Sequence, residues 1–243
     1  MTFFSYIYQT LLEALFPLTR EERALLTIKR ENLWQLFPRS PRSSIPESCS
    51  LFAYKDKRVS TLIWSLKYRK SKHAVEIGGY ALHNILKTYA KTTKHTIIIP
   101  MPISKQRRRE RGFNQCELLI DEIEKLDNAD IAKLNTRNSE SVLTITRTLL
   151  VRSHHNKRQT LKDRHERLEG VKKIFSINMY ALKKMCTQLN IIDNKPEENS
   201  GLLENYLIII VDDVITTGST MKEAVYTLRE AGLINTYGLA LAH

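Results

Sequence analysis

The run IIIVDD, Ile208 to Asp213, constrains the fold more than any other stretch of the chain. Four consecutive β-branched residues without polar alternation suit a strand buried on both faces, as in a parallel sheet covered by helices. A second such run, Thr96 to Ile99 in TIIIPMPIS, is halted by Pro100 and Pro102, which cannot continue a central strand. Segments of helical period lie around these runs. Val59, Leu62, Ile63 and Leu66 fall at i, i+3, i+4 and i+7, Ala74 to Tyr89 is a second amphipathic stretch, and a third runs from about Gln115 to Leu126. After the aspartates, Thr220 and Glu223 have capping-box spacing, Met221, Ala224, Val225 and Leu228 line one face, and Gly232 supplies a stop. Leu143 to Val151 and Tyr237 to Ala242 are further strand candidates. This alternation predicts an α/β fold with an open, mainly parallel sheet flanked by helices.

A chain of 243 residues can bury a sizeable core. Residues 1–50 read as an N-terminal helical appendage ending in the Pro/Ser-rich linker PRSPRSSIPES, and residues 51–243 as the main domain. Residues 178–205 combine a helical piece with the polar NKPEENSG and read as a surface excursion. No stretch approaches the roughly 18–20 apolar residues that cross a bilayer. The opening MTFFSYIYQTLLEALF lacks a basic region and carries Glu13, unlike a signal peptide. Cys49, Cys116 and Cys186 are far apart with no CxxC pairing, which argues against a disulfide framework and a zinc ribbon. A cytoplasmic location and no zinc are the expectations. The net charge of +12, from 38 Lys+Arg against 26 Asp+Glu, suits a polyanionic partner, either a phosphorylated small molecule or nucleic acid.

Two adjacent carboxylates at the end of a buried strand repel each other and are costly to bury unpaired. In open parallel sheets, ligands bind at the carboxyl ends of the strands. Asp212 and Asp213 occupy such an end, and Thr216, Thr217, Gly218, Ser219 and Thr220 lead from it into a helix. Convergent backbone N–H groups, hydroxyl donors and a helix N-terminus make a phosphate cup. The pair of features fits a ligand with a phosphate at one end and a ribose diol nearby. The aspartates accept hydrogen bonds from the diol, and a divalent ion bridging hydroxyls and a diphosphate shares the load. A Walker A loop is excluded, because no Lys follows Gly218, and a GxGxxG fingerprint is excluded by the single glycine of the turn.

The run IIIVDDVITTGST resembles the phosphoribosyl pyrophosphate (PRPP) binding motif of type I phosphoribosyltransferases. LKYRKS, IIIPMPISKQRRRERGFNQCELL, RSHHNKRQT and RHERLEGVKKIF precede it in an order that resembles the ComF family of competence-associated phosphoribosyltransferase-like proteins. The likeness covers about residues 51–243 apart from 178–205. Relatives commonly open with a zinc-binding CxxC segment, which is missing here, and Glu169 stands where many have Asn. The resemblance implies a type I phosphoribosyltransferase-like sheet binding PRPP with Mg²⁺. Asp212 and Asp213 would be catalytic, and Thr216 to Thr220 would hold the 5′-phosphate. Pro100, Met101 and Pro102 would receive the pyrophosphate, and Arg107, Arg108, Arg109, Arg111 and Gly112 would belong to a flexible arm closing over it. Arginine forks suit phosphate oxygens, in keeping with that role. Arg152 and Gln159 would line the site by resemblance alone.

Two functions compete. One is transfer of a phosphoribosyl group to an unknown acceptor, with positive charge on the departing pyrophosphate, negative charge near the ribose, and water excluded. The other is handling of single-stranded DNA by a protein that keeps the cup as a sensor or relic, since the resemblance implies a link with DNA uptake and with partners in the competence machinery. Basic stretches at 66–72, 105–111 and 152–173 supply the electrostatics, with Lys67, Arg69, Lys70, Arg152, Arg158 and Gln159 as candidate nucleic-acid contacts and Tyr68 and Phe113 as stacking candidates. A base-salvage enzyme of the same fold is a third reading, but no segment reads as a base-recognition hood. His154 and His155 lack metal-pair spacing, and Cys116 at a helix start reads as a buried inert thiol.

Overall fold

A computed structural model describes residues 17–41, 46–90, 95–133, 143–152, 174–189 and 206–243. Five strands form one parallel sheet in the order β1-β7-β6-β2-β3, where β1 is Ser48–Phe52, β2 His95–Pro100, β3 Leu143–Ile145, β6 Tyr206–Val214 and β7 Thr236–Ala242. Two short strands, β4 (Leu150–Arg152) and β5 (Phe175–Ile177), pair antiparallel outside it. The helices are α1 (Arg20–Leu26), α2 (Leu33–Leu36), α3 (Lys57–Trp64), α4 (Lys72–Ala90), α5 (Lys105–Arg111), α6 (Gln115–Lys133), α7 (Met179–Gln188) and α8 (Ser219–Glu230). This mostly parallel sheet flanked by helices is the α/β architecture expected from the two isoleucine runs.

The apolar runs are continuous because both faces of the sheet are covered. Ile209 and Val211 of β6 join Ile98, Leu239 and Leu241 in a core with α1 to α4 and α6. Ile208 and Ile210 point the other way, joining Ile97, Ile99 and Ala240 in a second core with α7, α8, β4 and β5. Side chains alternate faces along a strand, so each run feeds two cores at once.

The described residues of the expected appendage pack against the sheet. Leu25, Ile28, Leu33 and Phe37 are buried in the same core as α3, α4 and α6, and Phe37 meets Phe52 of β1 edge-on at 5.2 Å. The boundary expected at residue 50 falls inside β1, which pairs with β7 from Ser48 onward. No sequence periodicity marks so short an edge strand. His73 at the start of α4 sets its Nε2 3.1 and 3.0 Å from the carbonyls of Leu25 and Ile28, which ties the end of α1 to the domain.

Other local expectations shift. Leu143 to Val151 divides into β3 and β4, two strands of different sheets. Residues 105–111, read as part of a flexible arm, form helix α5, with the Ser104 hydroxyl accepting from the Arg107 N–H and Gly112 closing it at φ +78°. Glutamate, glutamine and arginine are good helix formers, and Gln106 donates to Glu110 one turn on. The capping box at Thr220 does not form. Gly218 caps α8 instead, at φ +76°, and Glu223 accepts from the Ile174 N–H. The proposed surface excursion beyond Leu189, and the helix expected before residue 17, lie outside the described residues.

Helices α4 and α6 approach closely at Gly78 and Gly79. A Cβ on Gly79 would sit 2.7 Å from Cβ and Cγ of Glu122, and on Gly78 2.8 Å from a Leu119 methyl. Replacing Gly79 by Val should therefore cost about 1–3 kcal/mol through overpacking. Chemical denaturation should show the midpoint falling with an unchanged slope.

Candidate functional site

Strand β2 ends sooner than its neighbour. Pro100 pairs with Val211, Met101 N–H donates to the Val211 carbonyl at 2.8 Å, and the chain then turns away. Strand β6 continues to Val214, held by β7 alone through Asp212–Ala240 and Val214–Ala242. The crevice opens between β2 and β6, where the strand order switches from running toward β3 to running toward β7.

A cleft of about 220 Å³ occupies this crevice, lined by Asp212, Asp213, Thr216, Thr217, Gly218 and Thr220 together with Met101, Pro102, Arg107, Arg152 and Lys67. Much of the residue set singled out in the sequence therefore converges on one cavity. No side chain caps the α8 N-terminus, because Gly218 stands at the cap. The amides that a Ser or Asp cap would engage are left to a ligand. Thr217 and Ser219 hydroxyls lie 3.0 Å apart beside them.

The doublet is asymmetric. Asp212 Oδ1 accepts from the Asp213 N–H at 2.8 Å and from the Cys116 thiol at 3.4 Å. Burial on the cleft floor and the adjacent Asp213 carboxylate push the Asp212 carboxyl up to about 7. Burial, followed by the two aspartates, likewise pushes the Cys116 thiol well up, so it stays protonated and donates. Asp213 is more deeply placed, with a side chain 3% exposed. Lys67 Nζ lies 3.1 Å from its Oδ2 as an ion pair, yet off the hydrogen-bond direction, and among the described residues nothing hydrogen-bonds that oxygen.

Asn114 ties the crevice together. Its Nδ2 donates to the Met101 carbonyl at 3.1 Å and its Oδ1 accepts from the Cys116 N–H at 3.0 Å, pinning the start of α6 to the turn after β2. RGFNQ was legible as a motif, but nothing in its spacing gave Asn114 this task. The sequence likewise gave no reason to set Lys67 against Asp213 or Cys116 against Asp212.

The remaining candidates lie elsewhere. Pro100 is buried at the end of β2. Arg108 pairs with Glu117, Arg109 is exposed on α5, and Arg111 donates to Gln115 Oε1 at 3.0 Å while its guanidinium stands 5.3 Å over the Tyr68 ring. Arg69 pairs with Glu22 at 3.0 Å and faces Trp64, and Lys70 lies 5.7 Å from the Phe113 ring. Arg152, by contrast, lines the cleft; its guanidinium stands 5.5 Å over the Phe175 ring, and burial followed by the nearby Arg107 charge lowers its pKa. Arg158, Gln159, His154, His155 and Glu169 lie outside the described residues.

A parallel sheet with an acidic doublet and a hydroxyl-rich cup at its switch point is consistent with the type I phosphoribosyltransferase-like fold. Comparison with known proteins finds similarity to competence proteins. The chain is 28% identical over 185 residues to Competence protein ComFC of Bacillus subtilis, covering 75% of this chain and 58% of that protein. It is 30% identical over 147 residues to Competence protein F of Haemophilus influenzae, covering 60% of this chain and 50% of the relative. The chain is thus similar to two competence proteins, and it spans 58% and 50% of their respective lengths. No family model matches.

The raised Asp212 pKa carries a stability cost. Between the ordinary carboxylate range and about 7, the folded protein keeps a proton that the unfolded chain releases, so stability falls as pH rises through that window. Asp212→Asn should stabilise the ligand-free protein at pH 8 by about 1–3 kcal/mol, with the gain vanishing near pH 4. Denaturation midpoints of the two proteins across pH 4–8 test this, and a pH-independent difference would contradict it.

Proposed function

We propose that this protein binds PRPP with Mg²⁺ in the cleft between β2 and β6 and transfers or senses the phosphoribosyl group, in the setting of DNA uptake. The observation that carries the reading is the convergence of Asp212, Asp213 and the Thr216–Thr220 turn on one cleft with three basic side chains, Lys67, Arg107 and Arg152. The names of the two relatives support the competence setting and partners in the competence machinery. Among the described residues no helix is long and apolar enough to cross a membrane, and a cytoplasmic location belongs to the same proposal.

The residues fit this ligand. The buried Asp213 oxygen without a hydrogen bond needs a donor, which a ribose hydroxyl supplies. Asp212 and Asp213 hold the diol, and their negative charge favours positive charge developing on the sugar. The uncapped amides of α8 and the Thr216, Thr217 and Thr220 hydroxyls receive the 5′-phosphate. Arg107 and Arg152 face the diphosphate end, where guanidinium forks match phosphate oxygens. Mg²⁺ bound with the diphosphate would neutralise the leaving group, and carboxylate oxygens suit so hard a cation. No group of three or more His, Cys, Asp or Glu among the described residues is placed to hold a metal ion by itself.

Calorimetric titration of PRPP should give saturable binding that requires Mg²⁺ and is lost in Asp212→Asn/Asp213→Asn. Tight binding retained by that double variant would remove the doublet from the site.

A second reading, single-stranded DNA handling, is favoured by a separate surface. Trp64 and Tyr68 are exposed with ring centroids 5.6 Å apart, and Arg69, Arg111 and, against Phe113, Lys70 interleave with these rings. Aromatic rings between cations form a platform for bases and phosphates without sequence preference. Oligonucleotide affinity should fall steeply with salt, and Tyr68→Ala should weaken it by roughly 10-fold. Salt-insensitive binding, or none at low ionic strength, would count against this surface.

A further inference from the structure

The chain between α3 and α4 is irregular in a way its neighbours do not require. Ser65–Arg69 form one π-helical turn, and Lys70 closes it in the left-handed region at φ +49°, with its N–H donating to the Ser65 carbonyl. Lys70 is the one non-glycine residue at positive φ among the described residues. Such a conformation is unfavourable for an L residue with a Cβ, and π turns gather at functional sites. The turn is pinned on its outer side. Arg69 donates to Glu22, a carboxylate that also closes the α1 capping box by accepting from the Thr19 N–H at 2.8 Å. Arg69 also faces the Trp64 ring, and Tyr68 stands between Trp64 and Arg111.

This anchoring delivers Lys67 inward. Its side chain is 19% exposed and reaches the 3% exposed carboxylate of Asp213 at 3.1 Å, inside the cleft that Thr216, Thr217, Gly218, Thr220 and Arg107 also line. The contact is electrostatic without hydrogen-bond alignment, so the ammonium balances the charge of Asp213 while leaving Oδ2 able to accept a hydrogen bond from another donor. A lysine stem is flexible and its ammonium is a compact point charge, which lets it change anionic partners over a short path.

We infer that Lys67 is a resident counter-ion that hands over. In the ligand-free cleft it neutralises Asp213. When a phosphorylated vicinal diol binds, the carboxylate turns its charge to the sugar hydroxyls and the ammonium moves to the diphosphate. Lys67 then offsets the cost of keeping a buried acidic doublet before ligand arrives and becomes a ligand contact afterwards. This rests on reading the cleft as a phosphoribosyl site.

The test has two parts. In ligand-free protein, denaturation of wild type, Lys67→Met, Asp213→Asn and the double variant should show coupling of about tenfold or more in the unfolding equilibrium, with Asp213→Asn relieving the loss caused by Lys67→Met. Additive effects would overturn the resident role. With Mg²⁺ present, calorimetry should show Lys67→Met losing roughly 10- to 100-fold in affinity for PRPP and less than about 3-fold for ribose 5-phosphate, which lacks the diphosphate. Equal losses for both ligands, or none, would overturn the handover. If Lys67→Met does not fold, Lys67→Gln, which keeps a polar head without the charge, gives the same comparison of ligands. Failure of wild type to bind either ligand would overturn the phosphoribosyl reading itself and the handover with it, a result distinct from binding that ignores Lys67.

Discussion

The difference in length between two neighbouring strands organises this protein. Strand β6 outruns β2 past the Pro100–Val211 pair, and the residues of the overhang are the acidic doublet. A proline-rich turn after β2 takes away the sheet partner that would otherwise cover Asp212 and Asp213. The isoleucines just before them are committed to two cores, so the strand cannot slip in register without exposing one of those faces. Burial of hydrocarbon thus fixes the carboxylates at the floor of a crevice where like charges are close.

Charge on that floor is managed locally. The Cys116 thiol and the Asp213 amide donate to Asp212, while Lys67 balances Asp213. Cys116 and Lys67 come from different elements, each held by a further contact: Asn114 fixes the start of α6, and Glu22 fixes the turn bearing Lys67. Helix α1, through Glu22, is therefore part of the scaffold of the site. Glu22 is nearly fully buried, and its pairing with Arg69 connects the first described helix with the turn that reaches into the cleft.

Local signals made the fold legible where they were strong and failed where they were short. The isoleucine runs located β2 and β6, and the i, i+3, i+4, i+7 spacing from Val59 to Leu66 located α3. A five-residue edge strand such as β1 has too few positions for a pattern, and its place beside β7 is set by a partner far along the chain, as Ser48 pairs with Gly238. The arginine-rich run has the charge of a solvated loop, yet its helix-forming residues and the Ser104 cap make it a helix. The Thr220–Glu223 spacing was a true capping pattern that lost to Gly218, whose positive φ starts the helix earlier and leaves the amides unengaged by side chains.

The sequence by itself determined the class of sheet, through paired apolar runs that need cover on both faces, and it located the acidic doublet and the hydroxyl-rich turn, because both belong to one continuous stretch. Tertiary structure decided which basic residues face them. Lys67 and Arg69 are two positions apart in one basic run, yet the π turn sends the first to Asp213 and the second to Glu22 on the outside. Spacing along a chain specifies neighbours within an element, whereas the direction of a side chain at an irregular turn is set by the groups packed around it.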